Sequence, residues 1–173
     1  MPLFGDISKF SNVSDYLPIL NGILFVETFT IFFTLHNFLR SKNLSIWYKK
    51  YQLSAVLADV SIVFLVIILT RFLYRFFFTK FSLVLFILLA IFIQTIHDFL
   101  FYKFFTLVPR GVNGMLDVFK NYAKEIQHYA ILGDSTIVTF SCLFAAHFST
   151  YSVNANIINL IFTLYFIPYL LYI

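Results

Sequence analysis

Charged residues are scarce in this chain. They make up 12% of its 173 residues, whereas hydrophobic residues make up 61%. A soluble domain is about half apolar and about a quarter charged, and a domain of this size still exposes much of its surface. The hydrophobic surplus therefore has to face lipid. The length leaves no room for a separate soluble domain, so we predict a single transmembrane domain over residues 1–173.

Cysteine is nearly absent as well. Cys142 is the only one, which excludes an intrachain disulfide and a Cys-x-x-Cys redox or zinc motif. No cleavable signal peptide is apparent, because the first fifteen residues are mixed and polar. No internal repeat and no low-complexity linker is apparent either.

Long apolar runs are what the chain does contain. Crossing a membrane takes about 20 apolar residues, and five runs are long enough. They predict an all-α integral membrane bundle of about five transmembrane helices, with spans at about 16–39, 52–72, 81–105, 129–151 and 155–173. Between the third and fourth spans, residues 115–128 carry apolar and polar side chains on opposite sides at helical spacing. We predict an amphipathic helix there, capped by Asn113, that lies in the headgroup plane or contacts a partner.

The net charge of +4 comes from cations at the ends of the apolar runs. Such side chains extend to phospholipid headgroups, so we expect a lipid bilayer as partner and no nucleic acid. Eight cations follow spans one and three, against four on the other side, which favours an outward N-terminus. Trp47 and Tyr48 are predicted to anchor the interface. The lysines predicted to face the interface or a protein partner are Lys49, Lys50, Lys120 and Lys124.

Acidic side chains interrupt four spans, although ionisable groups are costly in lipid. Counted from the basic ends of the spans, Asp59, Asp98 and Asp134 lie roughly 7 to 11 Å inside the same face, at a rise of about 1.5 Å per residue. Each stands on a stripe of small and polar residues, which is typical of helix-to-helix contact. Glu27 lies in span one, and His36 is expected at similar depth. The predicted intramembrane polar cluster consists of Asp59, Asp98, Asp134, His97 and Gln94.

Three interpretations of this cluster stay open. In the first, hydrogen-bonded carboxyl groups hold the helices together, with Lys49, Lys50 or Lys103 reaching inwards as counter-charges. In the second, the carboxyl groups form a proton or cation site. In the third, they support metal-assisted catalysis, although the His-x-x-x-His and His-Glu-x-x-His spacings that are typical of metal sites do not occur.

Residues 51–60, 96–102 and 117–134 share a pattern with known proteins. The residues that carry it include Asp59, His97, Asp98, Phe119, Tyr122, Glu125 and Asp134. In these stretches the chain resembles small multi-spanning membrane proteins of nucleocytoplasmic large DNA viruses. The resemblance implies a structural component of the viral membrane beneath the capsid, and it implies no catalytic residues.

Three functions follow as hypotheses. The first is a non-enzymatic structural membrane protein, in a viral internal membrane or a host membrane, that contacts capsid or other membrane proteins. The second is a small proton- or cation-coupled transporter or channel that uses the aspartate cluster. The third is a membrane-embedded enzyme that modifies lipid. We predict no cofactor and no bound metal.

Overall fold

A computed structural model describes residues 3–172, and the regular structure between them is entirely helical. A short 3₁₀ turn (Val13–Asp15) precedes the first helix. The seven α-helices of the described residues are α1 (Tyr16–Leu35), α2 (Lys42–Tyr51), α3 (Leu53–Phe77), α4 (Leu83–Leu107), α5 (Gly114–Ile126), α6 (Tyr129–Phe148) and α7 (Val153–Leu171).

Five of these helices, α1, α3, α4, α6 and α7, are long and apolar enough to cross a membrane. This confirms the predicted all-α bundle, with helix ends a few residues from the predicted ones. Residue 173, the predicted end of the last span, lies outside the described residues. Only 22% of the most apolar stretch of α4 is buried within the protein. Most of its apolar side chains therefore face outwards, where lipid is the solvent that suits them.

The sequence pattern predicts one amphipathic helix, and the structure has two. α5 is capped as expected, because the Asn113 side chain accepts hydrogen bonds from the amides of Met115 and Leu116. α2 forms in the basic segment after α1, where the Ser41 hydroxyl accepts from the Leu44 amide. The two short helices pack against each other at the end of the bundle where α1 and α4 finish.

α1 forms the centre of the bundle and packs most closely against α6. Gly22 permits this approach, because a Cβ atom there would lie 2.5 Å from the Ala145 backbone nitrogen. On the side facing α7, the buried Asn21 donates from Nδ2 to Asn156 Oδ1 at 2.9 Å. Close contact at small residues and hydrogen bonds between polar side chains are the usual means of joining helices in lipid.

The first six helices follow one plan twice. In α1–α2–α3 and again in α4–α5–α6, a long helix leads to a short amphipathic helix and then to a second long helix. α1 and α4 both end in Phe-Phe-Thr-Leu, at residues 32–35 and 104–107. The packing is related in the same way, because the first long helix of each half lies against the second long helix of the other half: α1 against α6, and α4 against α3. α7 stands outside this arrangement.

Sequence identity supports the duplication. Across residues 52–63 and 127–138, six of the twelve positions are identical at a separation of 75. The identical pairs are Gln52 and Gln127, Ala55 and Ala130, Leu57 and Leu132, Asp59 and Asp134, Ile62 and Ile137, and Val63 and Val138. The prediction of no internal repeat is therefore wrong. No single offset aligns both matching stretches, because residues 35 and 52 are 17 apart whereas residues 107 and 127 are 20 apart.

Candidate binding cavity

A cavity of about 1710 Å³ lies between α1, α3, α4 and α6, and α2 and α5 line its end. Both halves of the repeat contribute to it, so the cavity stands at their interface. It is larger than most small-molecule pockets, which measure about 300–1000 Å³. Much of its wall is apolar and includes Phe25, Phe29, Phe33, Ile62, Phe140 and Phe144.

Each of the four surrounding helices contributes one carboxyl group to the lining. These groups belong to Glu27 of α1, Asp59 of α3, Asp98 of α4 and Asp134 of α6. Gln94 and His97, the other members of the predicted cluster, line the same cavity. The structure therefore brings the whole predicted cluster to one place and adds a fourth acid to it.

Glu27 is the cavity acid that the predicted cluster does not include. It is 3% exposed, and the signal that marks it is the same as for the aspartates, an acid within an apolar run. His36 is the opposite case. It is exposed just beyond the end of α1, where its Nδ1 lies 2.9 Å from the Phe32 carbonyl oxygen. The expectation that His36 lies at the depth of the aspartates is wrong, because α1 ends before it.

Two aromatic residues of α2 reach the cavity acids. Trp47 donates from Nε1 to Asp59 Oδ2 at 2.8 Å, and the Tyr48 hydroxyl donates to Glu27 Oε1 at 2.9 Å. Both side chains are buried. They are therefore not the interfacial anchors that their place beside basic residues predicts, since α2 turns them towards α1 and α3.

Gln94 and Asp98 stand one turn apart on α4. Gln94 donates from Nε2 to Asp98 Oδ1 at 2.6 Å, and His97 Nδ1 lies 3.2 Å from the same oxygen. This bond fixes the orientation of the Gln94 amide, so its Oε1 is left as an acceptor. Gln94 Oε1 and Asp98 Oδ2 are both buried and lack a hydrogen-bond partner. Buried acceptors without a donor are rare and ask for an explanation.

A series of aromatic rings joins the acids of the two halves. The ring centroids of Trp47 and Phe119 are 4.7 Å apart, and those of Phe119 and Phe101 are 5.1 Å apart. Phe101 in turn lies 5.8 Å from the His97 ring. The series leads from the donor to Asp59 at one end to the neighbour of Asp98 at the other, and all four rings line the cavity.

Among the described residues, no lysine or arginine pairs with a cavity acid, and the basic neighbour of Asp98 is His97. Within residues 3–172, the ion pairs formed by lysine or arginine lie elsewhere: Lys9 with Asp6, Arg71 with Asp15, and Lys120 with Asp117. The expectation that Lys49, Lys50 or Lys103 reaches inwards is therefore wrong. Lys49 and Lys50 are exposed on α2, and Lys103 Nζ lies over the Phe99 ring instead, 5.4 Å from its centroid.

The part of the chain that the structure describes has no group of three or more His, Cys, Asp or Glu side chains placed to hold a metal ion. The four cavity carboxyl groups come from four different helices and line a wide space. Such an arrangement suits a ligand larger than a bare ion.

Of the lysines expected to face the interface or a partner, Lys49, Lys50 and Lys124 are exposed. Lys120 is buried, and its ammonium group donates to the Val108 carbonyl oxygen and lies 3.5 Å from Asp117 Oδ1. The expectation that Lys120 faces a partner is wrong, because its ammonium group binds the carbonyl oxygen at the end of α4 and pairs with Asp117, one turn away.

Glu125 of α5 holds α2 in place. Its carboxylate accepts hydrogen bonds from the Lys42 amide at 2.7 Å, the Asn43 amide at 3.0 Å and the Ser41 hydroxyl at 3.0 Å. An anion at a helix N-terminus is favourable, since the free amides there point at it. Burial alone would raise the pKa of Glu125, but these hydrogen bonds outweigh it and hold the pKa below its usual value.

No family model matches the chain. No curated protein and no solved structure matches it either. The resemblance to viral membrane proteins therefore stays a prediction, and the function has to be inferred from the cavity.

Proposed function

We propose that this protein is a small membrane transporter that binds a cation in the cavity between its two halves. The observation that carries the proposal is the single carboxyl group that each of the four surrounding helices places in the lining. Ionisable groups inside a bundle are costly, and they commonly mark ion pathways and proton relays. Many transporters are built from two repeats, with the substrate site at the interface between them.

The short helices give this site a means of responding to its occupant. Trp47 and Tyr48 donate hydrogen bonds from α2 to carboxyl groups on α3 and α1. A cation bound to Asp59 or Glu27 competes with these donors for the same oxygens. Occupancy of the cavity therefore changes the contacts that hold α2 over it, which links binding to the opening of that end.

The test measures electrical currents from the purified protein in liposomes adsorbed to a solid-supported membrane. Concentration jumps of H⁺, Na⁺, K⁺ and 2-phenylethylamine are applied in turn. We expect at least one of these cations to evoke a current that empty liposomes lack. Asp134→Asn should abolish it, whereas Asp117→Asn, which neutralises an acid outside the cavity, should preserve it.

The proposal is wrong if none of the four cations evokes a current from protein that remains folded. It is equally wrong if Asp134→Asn carries the current of the unmodified protein. The structural role in a viral or host membrane, the absence of enzymatic activity and the contacts with capsid stay predictions.

A further inference from the structure

We propose that the occupant of this cavity is a protonated primary or secondary amine that carries an apolar body. The inference rests on the transport function proposed above, because it names the substrate class of the same site. Three features lead to it: the size and character of the walls, the two buried acceptors without donors, and the lack of a metal-holding group among the described residues.

The walls indicate the body of the ligand. A cavity of about 1710 Å³ holds far more than an inorganic ion, and phenylalanine and isoleucine side chains cover much of its surface. Apolar groups enter such a space because they leave water. The carboxyl groups belong to the same lining, so the ligand that fits has a charged part and an apolar part.

The acceptors indicate the chemistry of the charged part. Gln94 is 4% exposed, and its Oε1 lacks a donor, as does Asp98 Oδ2. Gln94 Oε1 can only accept hydrogen bonds, and Asp98 Oδ2 only accepts them when its carboxyl group is ionised. The missing partner of the ionised site is therefore a group with N–H or O–H donors. The carboxylate beside them favours a positive charge on that group. A primary or secondary ammonium supplies both the charge and at least two N–H donors.

Two other kinds of cation fit less well. A bare metal ion needs several ligands close together, and the described residues offer no such group. A quaternary ammonium carries the charge and can lie against the rings of Trp47, Phe101 and Phe119. It has no N–H, however, and would leave both buried oxygens without donors.

The experiment compares matched probes by isothermal titration calorimetry on the full chain in lipid nanodiscs, with empty nanodiscs as the blank. The probes are 2-phenylethylamine, its N,N,N-trimethyl analogue and 2-phenylethanol. We expect the amine to bind, the trimethyl analogue to bind at least about tenfold more weakly, and the neutral alcohol to show only partition into lipid.

Two variants locate the binding. Asp98→Asn and Gln94→Leu should each weaken amine binding by at least about tenfold, whereas Asp117→Asn should leave it unchanged. Equal binding of the amine and its trimethyl analogue would overturn the inference without requiring any variant to fold. So would amine binding that both cavity variants retain.

The outcomes separate this inference from the transport function. A current evoked by Na⁺, K⁺ or H⁺ alone, with no binding of 2-phenylethylamine, would overturn the ligand class and support the transporter. Amine binding that depends on Asp98, without a current from any cation, would overturn the transporter and support the ligand class.

Discussion

Gln52 and Gln127 occupy equivalent positions in the two halves and share one unusual backbone conformation. Gln52 has φ 49° and ψ −123°, and Gln127 has φ 50° and ψ −127°. Each ends a short amphipathic helix, and each stands seven residues before an aspartate that lines the cavity. Positive φ is costly for a residue with a side chain. The turn that it makes aims the following helix, and its aspartate, at the same space in both halves.

Substitution of these glutamines tests the strain at the turns. Glycine adopts positive φ without penalty, so Gln52→Gly and Gln127→Gly should keep or raise the thermal unfolding temperature in detergent. Gln52→Val and Gln127→Val should lower it, because a β-branched residue is disfavoured there. Strain at such positions amounts to about 1–3 kcal/mol. A glycine variant less stable than the valine variant at the same site would contradict this account.

Much of the fold was open to prediction because helices in lipid obey simple rules. A run of about 20 apolar residues forms a helix, and a constant rise per residue lets depths be compared across spans. That comparison is why Asp59, Asp98 and Asp134 could be expected at one level.

The missed features depend on tertiary structure. α2 is short and lies within the basic segment after α1, so its pattern alone resembles a loop between spans. The burial of Trp47 and Tyr48 follows from how α2 packs, which no local periodicity contains. The repeat was missed because its two matching segments are separated by three more residues in the second half than in the first.

The close contact of α1 with α6 predicts opposite effects at two helical glycines. In Gly22→Ala the new Cβ would meet the backbone of Ala145, which cannot move aside, so we expect a loss of about 1–3 kcal/mol in the free energy of unfolding. At Gly133 a Cβ meets nothing within 4 Å. Gly133→Ala should therefore stabilise the protein by about 0.5–1 kcal/mol. Reversible unfolding in mixed micelles measures both, and equal effects would contradict the packing.

The Tyr48 hydroxyl and the Tyr51 hydroxyl form a second matched pair. Tyr48 donates to the buried Glu27 carboxyl group, so Tyr48→Phe leaves that group without its donor and should cost about 1–3 kcal/mol. The Tyr51 hydroxyl is buried without a partner. Tyr51→Phe should therefore be neutral or stabilising in the same unfolding assay. The hydrogen bond to Glu27 contributes nothing if both variants unfold alike.

The cap on α2 predicts a dependence on pH. The hydrogen bonds to Glu125 hold its pKa below the usual value, so its ionised form is favoured in the folded protein. This contribution to stability is present above the ordinary glutamate pKa of about 4.3 and is lost as the pH falls below it through the lower folded value. The unfolding temperatures of the unmodified protein and of Glu125→Gln should thus differ at pH 7 and converge as the pH falls through the folded pKa of Glu125. A constant difference across this range would exclude the cap as the cause.

If the acids of four helices act together in one cavity, each of them is needed for transport. The decisive measurement is the cation-evoked current of four single variants, Glu27→Gln, Asp59→Asn, Asp98→Asn and Asp134→Asn, beside Asp117→Asn and the unmodified protein. We expect each of the four to lower the current and Asp117→Asn to preserve it. Four cavity variants that all conduct as the unmodified protein does would contradict this joint role.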